Sequence, residues 1–198
     1  MNLVDRVKNL ILAPAKEWEV IKGETWTTAD LFMKYAIILA AIPAVAGFLG
    51  YTFFGLSYGF GTFKLGFGTS LTWAILTYIL SLAGIFVLAF IIDALAPSFG
   101  STKDMIASLK VAVFSSTPAW VAGILNIFPA LSILVVIASI YGLVLLYMGL
   151  ERVKSVPKDK MVGYFVVVLI AAILVYVVIG AIVSAIAFSG YAFTRPAF

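Results

Sequence analysis

The chain has 198 residues, of which 64% are hydrophobic and 11% charged, and its mean hydropathy is +1.16. These values exclude a water-soluble domain and predict one polytopic membrane unit. Cysteine and histidine are both absent, which excludes disulfides, thiol nucleophiles, thiolate metal sites and the usual acid–base group near neutrality.

The net charge of +4 reads as membrane topology rather than nucleic-acid binding, because the basic residues cluster between apolar runs. No cofactor or metal set is predicted. The apolar stretch "LILAPA" is too short for a signal peptide and follows Asp5, so the first membrane helix is expected to act as its own insertion signal.

The opening segment, "MNLVDRVKNLILAPAKEWEVIKGE", is not a span. Leu3, Val4, Val7, Leu10 and Ile11 fall at helical spacing, with Asp5, Arg6, Lys8 and Asn9 opposite. This predicts a short amphipathic helix with its apolar face towards lipid and its cations near headgroups. Pro14 opens a second short helix in which Trp18 and Ile21 share a face. Arg6, Lys8, Lys16 and Trp18 are therefore candidate interfacial or lipid-binding residues. The arm is read either as an anchor that seals the bundle or as a docking surface for a partner.

A helix needs about 20 apolar residues to cross the hydrocarbon core. Five runs qualify, near Phe32–Phe54, Thr69–Leu95, Met105–Ile127, Pro129–Leu150 and Met161–Phe188. The expected class is all-α, a five-span membrane bundle. Its organisation is an interfacial arm over 1–30, the membrane unit over 31–190 and a short external tail over 191–198.

Eleven of the 13 basic residues fall in the arm, around Lys103 and in the loop "ERVKSVPKDK" or beside these segments. Only Lys64 and Arg195 fall on the other side. The positive-inside rule then places the N-terminus in the cytoplasm and the C-terminus outside. In that loop Arg152, Lys154, Lys158 and Lys160 are further candidates for anionic headgroups.

The first two spans are joined by "GLSYGFGTFKLGFG", an aromatic connector at the interface or a lid. The second span ends in "FIIDALAP". Asp93 is expected at the inner interface, capping the turn at Pro97 or paired with Lys103 or, by preference, with Lys110, which snorkels from the third span; Asp93 and Lys110 are also candidates for a polar cavity. Asn126-Ile127-Phe128-Pro129 predicts a tight turn between the third and fourth spans.

The third span carries "FSSTPAW". Pro118 cannot donate to the carbonyl of Phe114 and opens the helix there. A freed carbonyl in lipid costs several kcal/mol unless satisfied. Ser115, Ser116 and Thr117 supply local donors, so the stretch reads as a kink with its own polar compensation. It is either a packing bend or one wall of a polar cavity, with Trp120 as gate.

Pro43 holds the matching place in the first span. The two segments form a faint parallel repeat, with capping boxes expected at Thr27/Asp30 and Ser101/Asp104. Small residues at i, i+4 spacing (Ala36, Ala40 and Ala44; Ala138 and Gly142; Gly180 and Ser184) predict close helix packing or self-association.

"RVKNLILAPAKEWEVIKGE", "FIIDALAPSFG", "LKVAVFSSTPAWVAGILNIFPAL" and "IYGLVLLYMGLERVKSVPKDKMVGY" together resemble the prokaryotic branch of the Yip family, the Ypt/Rab-interacting proteins. The resemblance runs from about Val4 to about Ala187. It departs at "LERVK", where prokaryotic relatives are more apolar. It implies a five-span bundle with a cytoplasmic N-terminus and no catalytic residues. Eukaryotic relatives are associated with vesicle traffic and small GTPases, a role not carried to a chain without the long cytoplasmic arm.

The expected function is a non-enzymatic membrane protein that organises lipids, a membrane-protein partner or copies of itself. The alternative is a channel or small-solute transporter built on the kinked first and third spans. A membrane-embedded enzyme is a third and weaker reading, since no carboxylates are obviously paired within one leaflet.

Overall fold

A computed structural model describes residues 2–58 and 61–189, with the side chains of 56–58 and 61–63 left aside. The chain is helical, with two short arm helices, α1 (Leu3–Leu12) and α2 (Pro14–Gly23). Five long helices follow: α3 (Thr28–Phe54), α4 (Phe67–Phe99), α5 (Met105–Ile127), α6 (Pro129–Arg152) and α7 (Lys158–Ala187). Each is long and apolar enough to span a bilayer, and each matches an expected span within a few residues. Between α3 and α4, β1 (Leu56–Tyr58) and β2 (Gly61–Phe63) pair antiparallel, so the connector is a small ribbon. The expected tail, 191–198, lies outside the described residues.

Helix starts follow local chemistry. Asn2 caps α1 by accepting from Asp5 N at 2.8 Å. Thr27 and Asp30 form the expected capping box at the start of α3. The second expected box does not form. Asp104 is itself the N-cap of α5, accepting from Ala107 N at 2.9 Å, while Ser101 Oγ donates to the carbonyl of Lys154 at 2.6 Å.

Helix α5 is the centre of the bundle. Of its apolar window 61% lies inside the protein, against 17% for α7. Helices α3, α4 and α6 surround it, and α7 packs chiefly on α4. The Ala36, Ala40 and Ala44 ridge is buried as expected. Gly142 faces the backbone of Ser115, where an added Cβ would lie 2.8 Å from the carbonyl oxygen. On α7, by contrast, Gly180 has open space and Ser184 is exposed, so that ridge packs against nothing among the described residues.

The kink is as the sequence requires. Helix α5 breaks at Ser116 and resumes at Thr117. Thr117 Oγ1 donates to the carbonyl of Phe114 at 2.7 Å, the one Pro118 leaves free, and Ser116 Oγ donates to that of Ala112 at 2.9 Å. Pro43 packs against Gly123, where an added Cβ would sit 2.5 Å from the proline Cβ. Pro43 itself lies inside an unbroken helical stretch, Ile37–Leu49, which corrects the expected kink of the first span, and it meets α5 five residues beyond Pro118.

Candidate functional site

The arm is part of the core. Leu10, Trp18 and Ile21 are fully buried, and Arg6 is 3% exposed. This corrects the expectation that the apolar face of the arm lies in lipid with Arg6 and Trp18 at headgroup level. Amphipathic spacing fixes one apolar face, and here protein buries Leu10 and half-buries Leu3, Val7 and Ile11, leaving Val4 exposed.

Trp18 lies in a notch made by Gly149 of α6, where a Cβ would come within 2.9 Å of the indole. Phe114 of α5 stands beside it, ring centroids 6.3 Å apart, edge-to-face. Trp26 and Tyr35 pack on the same Phe114, at 5.7 and 4.8 Å. Tyr141 of α6 donates to the carbonyl of Ile11 at 2.9 Å.

Arg6 organises the charge in this cluster. It pairs with Glu17 at 2.5 Å and with both carboxylate oxygens of Glu24, and its guanidinium lies over Phe114, 5.5 Å from the ring centroid. Trp26 Nε1 donates to Glu24 at 2.9 Å. Burial pushes the Glu24 carboxyl up, but hydrogen bonds from Arg6 and Trp26 and the Arg6 charge outweigh it, so its pKa falls below 4.5.

Lys110 corrects a second expectation. It does not pair with Asp93. It is 6% exposed, and its Nζ donates to the carbonyls of Ile21 at 2.9 Å and Glu24 at 2.5 Å, a cation on the carbonyl end of α2. Asp93 turns instead to Lys154, at 3.4 Å, and accepts from Asp104 N at 2.6 Å and Ser108 Oγ at 3.2 Å.

Lys154 Nζ also donates to the carbonyls of Thr102 and Asp104, at 2.8 and 3.3 Å. Its side chain is 1% exposed, which corrects its placement among headgroup-binding residues. Burial holds the Lys154 ammonium below its ordinary pKa even with Asp93 beside it. The α4–α5 and α6–α7 turns are thereby stitched together.

Among the other candidates, Thr117 and Pro118 are buried at the kink, and Thr117 Oγ1 meets the Tyr35 hydroxyl at 2.8 Å. Ser115 Oγ is buried without a hydrogen-bond partner among the described residues. Trp120 is 6% exposed and part of the core. Lys8, Lys16, Lys158 and Lys160 are exposed. Arg152 is part-buried, its Nη1 donating to the carbonyl of Ala15 at 2.6 Å and to Glu19 at 3.2 Å.

Two clefts open at this end of the bundle. One, about 350 Å³, lies between the arm and α3, beside Arg6, Glu24, Trp26, Asp30 and Lys34. The other, about 430 Å³, lies between α2 and the α6–α7 turn and is lined by Glu19, Lys22, Glu151, Arg152, Ser155 and Lys158 among others.

Sequence reasoning missed Glu17, Glu24, Trp26, Tyr35 and Phe114. One signal existed: Glu17, Ile21 and Glu24 share a helical face, and two carboxylates beside a buried apolar residue require a cation.

Comparison with known proteins agrees with this architecture. The chain is 27% identical over 161 residues to "Inner membrane protein YohC" of Escherichia coli K12, covering 79% of this chain and 83% of the relative. The protein of the same description from Escherichia coli O6:H1 matches to the same extent. No solved structure matches the chain. The family model described as the Yip1 domain matches residues 8–193, so this five-span integral membrane protein belongs to the Yip1 domain family.

Proposed function

We propose that this chain is a non-enzymatic protein of the inner membrane that organises lipids or partner proteins. It does so at the end where the arm and the two basic turns gather. Eleven of 13 basic residues fall on this side, which supports a cytoplasmic N-terminus and an external C-terminus. The name of the curated relatives supports the inner membrane.

The observation that carries the reading is the locked arm. Arg6 over Phe114, Trp18 against Gly149 and Lys110 on the α2 carbonyls fix α1 and α2 to the bundle, so the exposed Lys8, Lys16, Lys22, Lys158 and Lys160 stand on a rigid surface. A preformed charged surface loses little ordering entropy on binding.

The transporter alternative draws on free polar groups at the kink. Thr117, Ser116 and Tyr35 bond to one another or to carbonyls of α5 and Asp93 is held by Lys154, Asp104 N and Ser108, which among the described residues leaves Ser115 Oγ as the unpartnered group at the kink and favours the organiser reading.

The test is native mass spectrometry after extraction from the protein's own membrane in mild detergent. A protein companion or a lipid retained at fixed stoichiometry is expected. A bare chain, together with solute flux in liposomes that changes in Pro118→Ala, would overturn the reading.

A further inference from the structure

We infer that the cleft between α2 and the α6–α7 turn is a binding site for one anionic phospholipid, its phosphate held by Lys22, Arg152 and Lys158. The inference deepens the organiser reading and rests on it for which membrane face this end meets.

The cleft holds about 430 Å³, ample for a phosphate and a small polar headgroup. Its cations come from three separate elements: Lys22 from the last turn of α2, Arg152 from the end of α6 and Lys158 from the start of α7. Among the described residues, Lys22 and Lys158 make no hydrogen bond or ion pair. Arg152 spends only Nη1 on Ala15 and Glu19. Its Nε is buried without a partner, and its Nη2 makes no hydrogen bond among the described residues.

A guanidinium with Nη2 unspent can add a charge-assisted bond to a phosphate. Of the two carboxylates in the lining, Glu19 is already taken up by Arg152. That leaves Glu151 against two free lysines. Pro157, at the N-cap of α7, offers no side-chain cap, and Asp159 in the first turn offsets the positive end of the helix, so the cations of the cleft are the side chains alone. Ser155 adds a hydroxyl whose hydrogen bond, to the Arg152 carbonyl, is long at 3.5 Å.

The apolar surface continuous with the cleft points to a lipid rather than a free anion. From Lys158, Val162, Val166 and Ile170 follow at i+4 steps, exposed by 63, 44 and 53%. From Arg152, steps of four lead through Met148 to Val144 and Ile140, exposed by 44 and 58%. Tyr147 and Phe165 pack edge-on between the two helices, 5.4 Å apart. A headgroup in the cleft would therefore have its acyl chains along bare stripes of α6 and α7.

The experiment uses the full chain in neutral detergent. Phosphatidylglycerol, phosphatidylcholine and inorganic phosphate are each titrated and read by native mass spectrometry. One phosphatidylglycerol per chain is expected to be retained in preference to phosphatidylcholine. Lys22→Gln with Lys158→Gln, both at exposed positions, should weaken that retention about 30-fold. Lys64→Gln with Lys103→Gln, exposed but outside the cleft, should leave it unchanged.

Equal retention of the two lipids, equal loss in the two double variants, or displacement by equimolar inorganic phosphate would overturn the assignment. A companion protein retained from native membranes without selective phosphatidylglycerol binding would end this site and leave the organiser reading intact.

Discussion

Replacing Trp18 by alanine tests whether the arm belongs to the fold. The indole is fully buried, seated against Gly149 and Val111 and edge-on to Phe114. A tryptophan buries roughly 200 Å². At about 25 cal/mol per Å² that is about 5 kcal/mol of apolar transfer as an upper bound. Aromatic-to-alanine changes in packed sites cost about 3–5 kcal/mol. The notch floor cannot collapse to fill the space, because Gly149 has no side chain to move.

Trp18→Ala should therefore lose about 3–5 kcal/mol in reversible denaturant unfolding followed by far-ultraviolet circular dichroism. Val20→Ala, at a position 40% exposed on the same helix, is the control and should lose well under about 1 kcal/mol. A Trp18→Ala loss no larger than the control would refute the docked arm.

The kink and the charge cluster give further outcomes. Thr117→Val removes the bonds to Phe114 and Tyr35 and should cost about 1–3 kcal/mol in the same unfolding measurement. Adding Tyr35→Phe should cost less than it does alone, because the orphaned phenol goes with it. Gly123→Ala places a methyl 2.5 Å from the Pro43 Cβ and should cost about 1–3 kcal/mol, whereas Gly180→Ala meets open space and should not destabilise.

Glu24 has a folded pKa below 4.5. The folded state then binds its proton less readily than the unfolded chain, so its contribution is present above pH 4.5 and lost as pH falls through the folded value. The stability gap between the protein and Glu24→Gln should shrink on acidification below pH 4.5 and stay constant above it.

The membrane helices were legible because length and apolarity alone decide them: all five follow from runs that nothing but a bilayer accommodates. The Pro118 compensation was legible for a similar reason. The donor, Thr117, lies three residues from the carbonyl it serves, within reach of local reasoning.

The arm was not legible. Its apolar face could be covered by lipid or by protein with the same spacing, and the choice was made by Gly149 and Phe114, more than 90 residues away. The lysines failed in the same way. Lys110 sits close in sequence to Asp93, but the carbonyl end of α2 claims it from 86 residues away. Lys154, 61 residues from Asp93, takes the carboxylate. Pairings of ions across a bundle depend on which helix ends meet, and that information is tertiary. The second capping box failed on a local competition, since Asp104 reached the N-cap before Ser101 could.

The most direct test of the account is quenching of Trp18 as the sole tryptophan in the bilayer-embedded protein. Brominated lipids report contact with the membrane and acrylamide reports contact with water. A docked arm predicts that neither quenches Trp18, since its side chain is fully buried in protein. Strong quenching by lipid brominated near the headgroup would place the arm on the membrane surface and contradict the rigid platform.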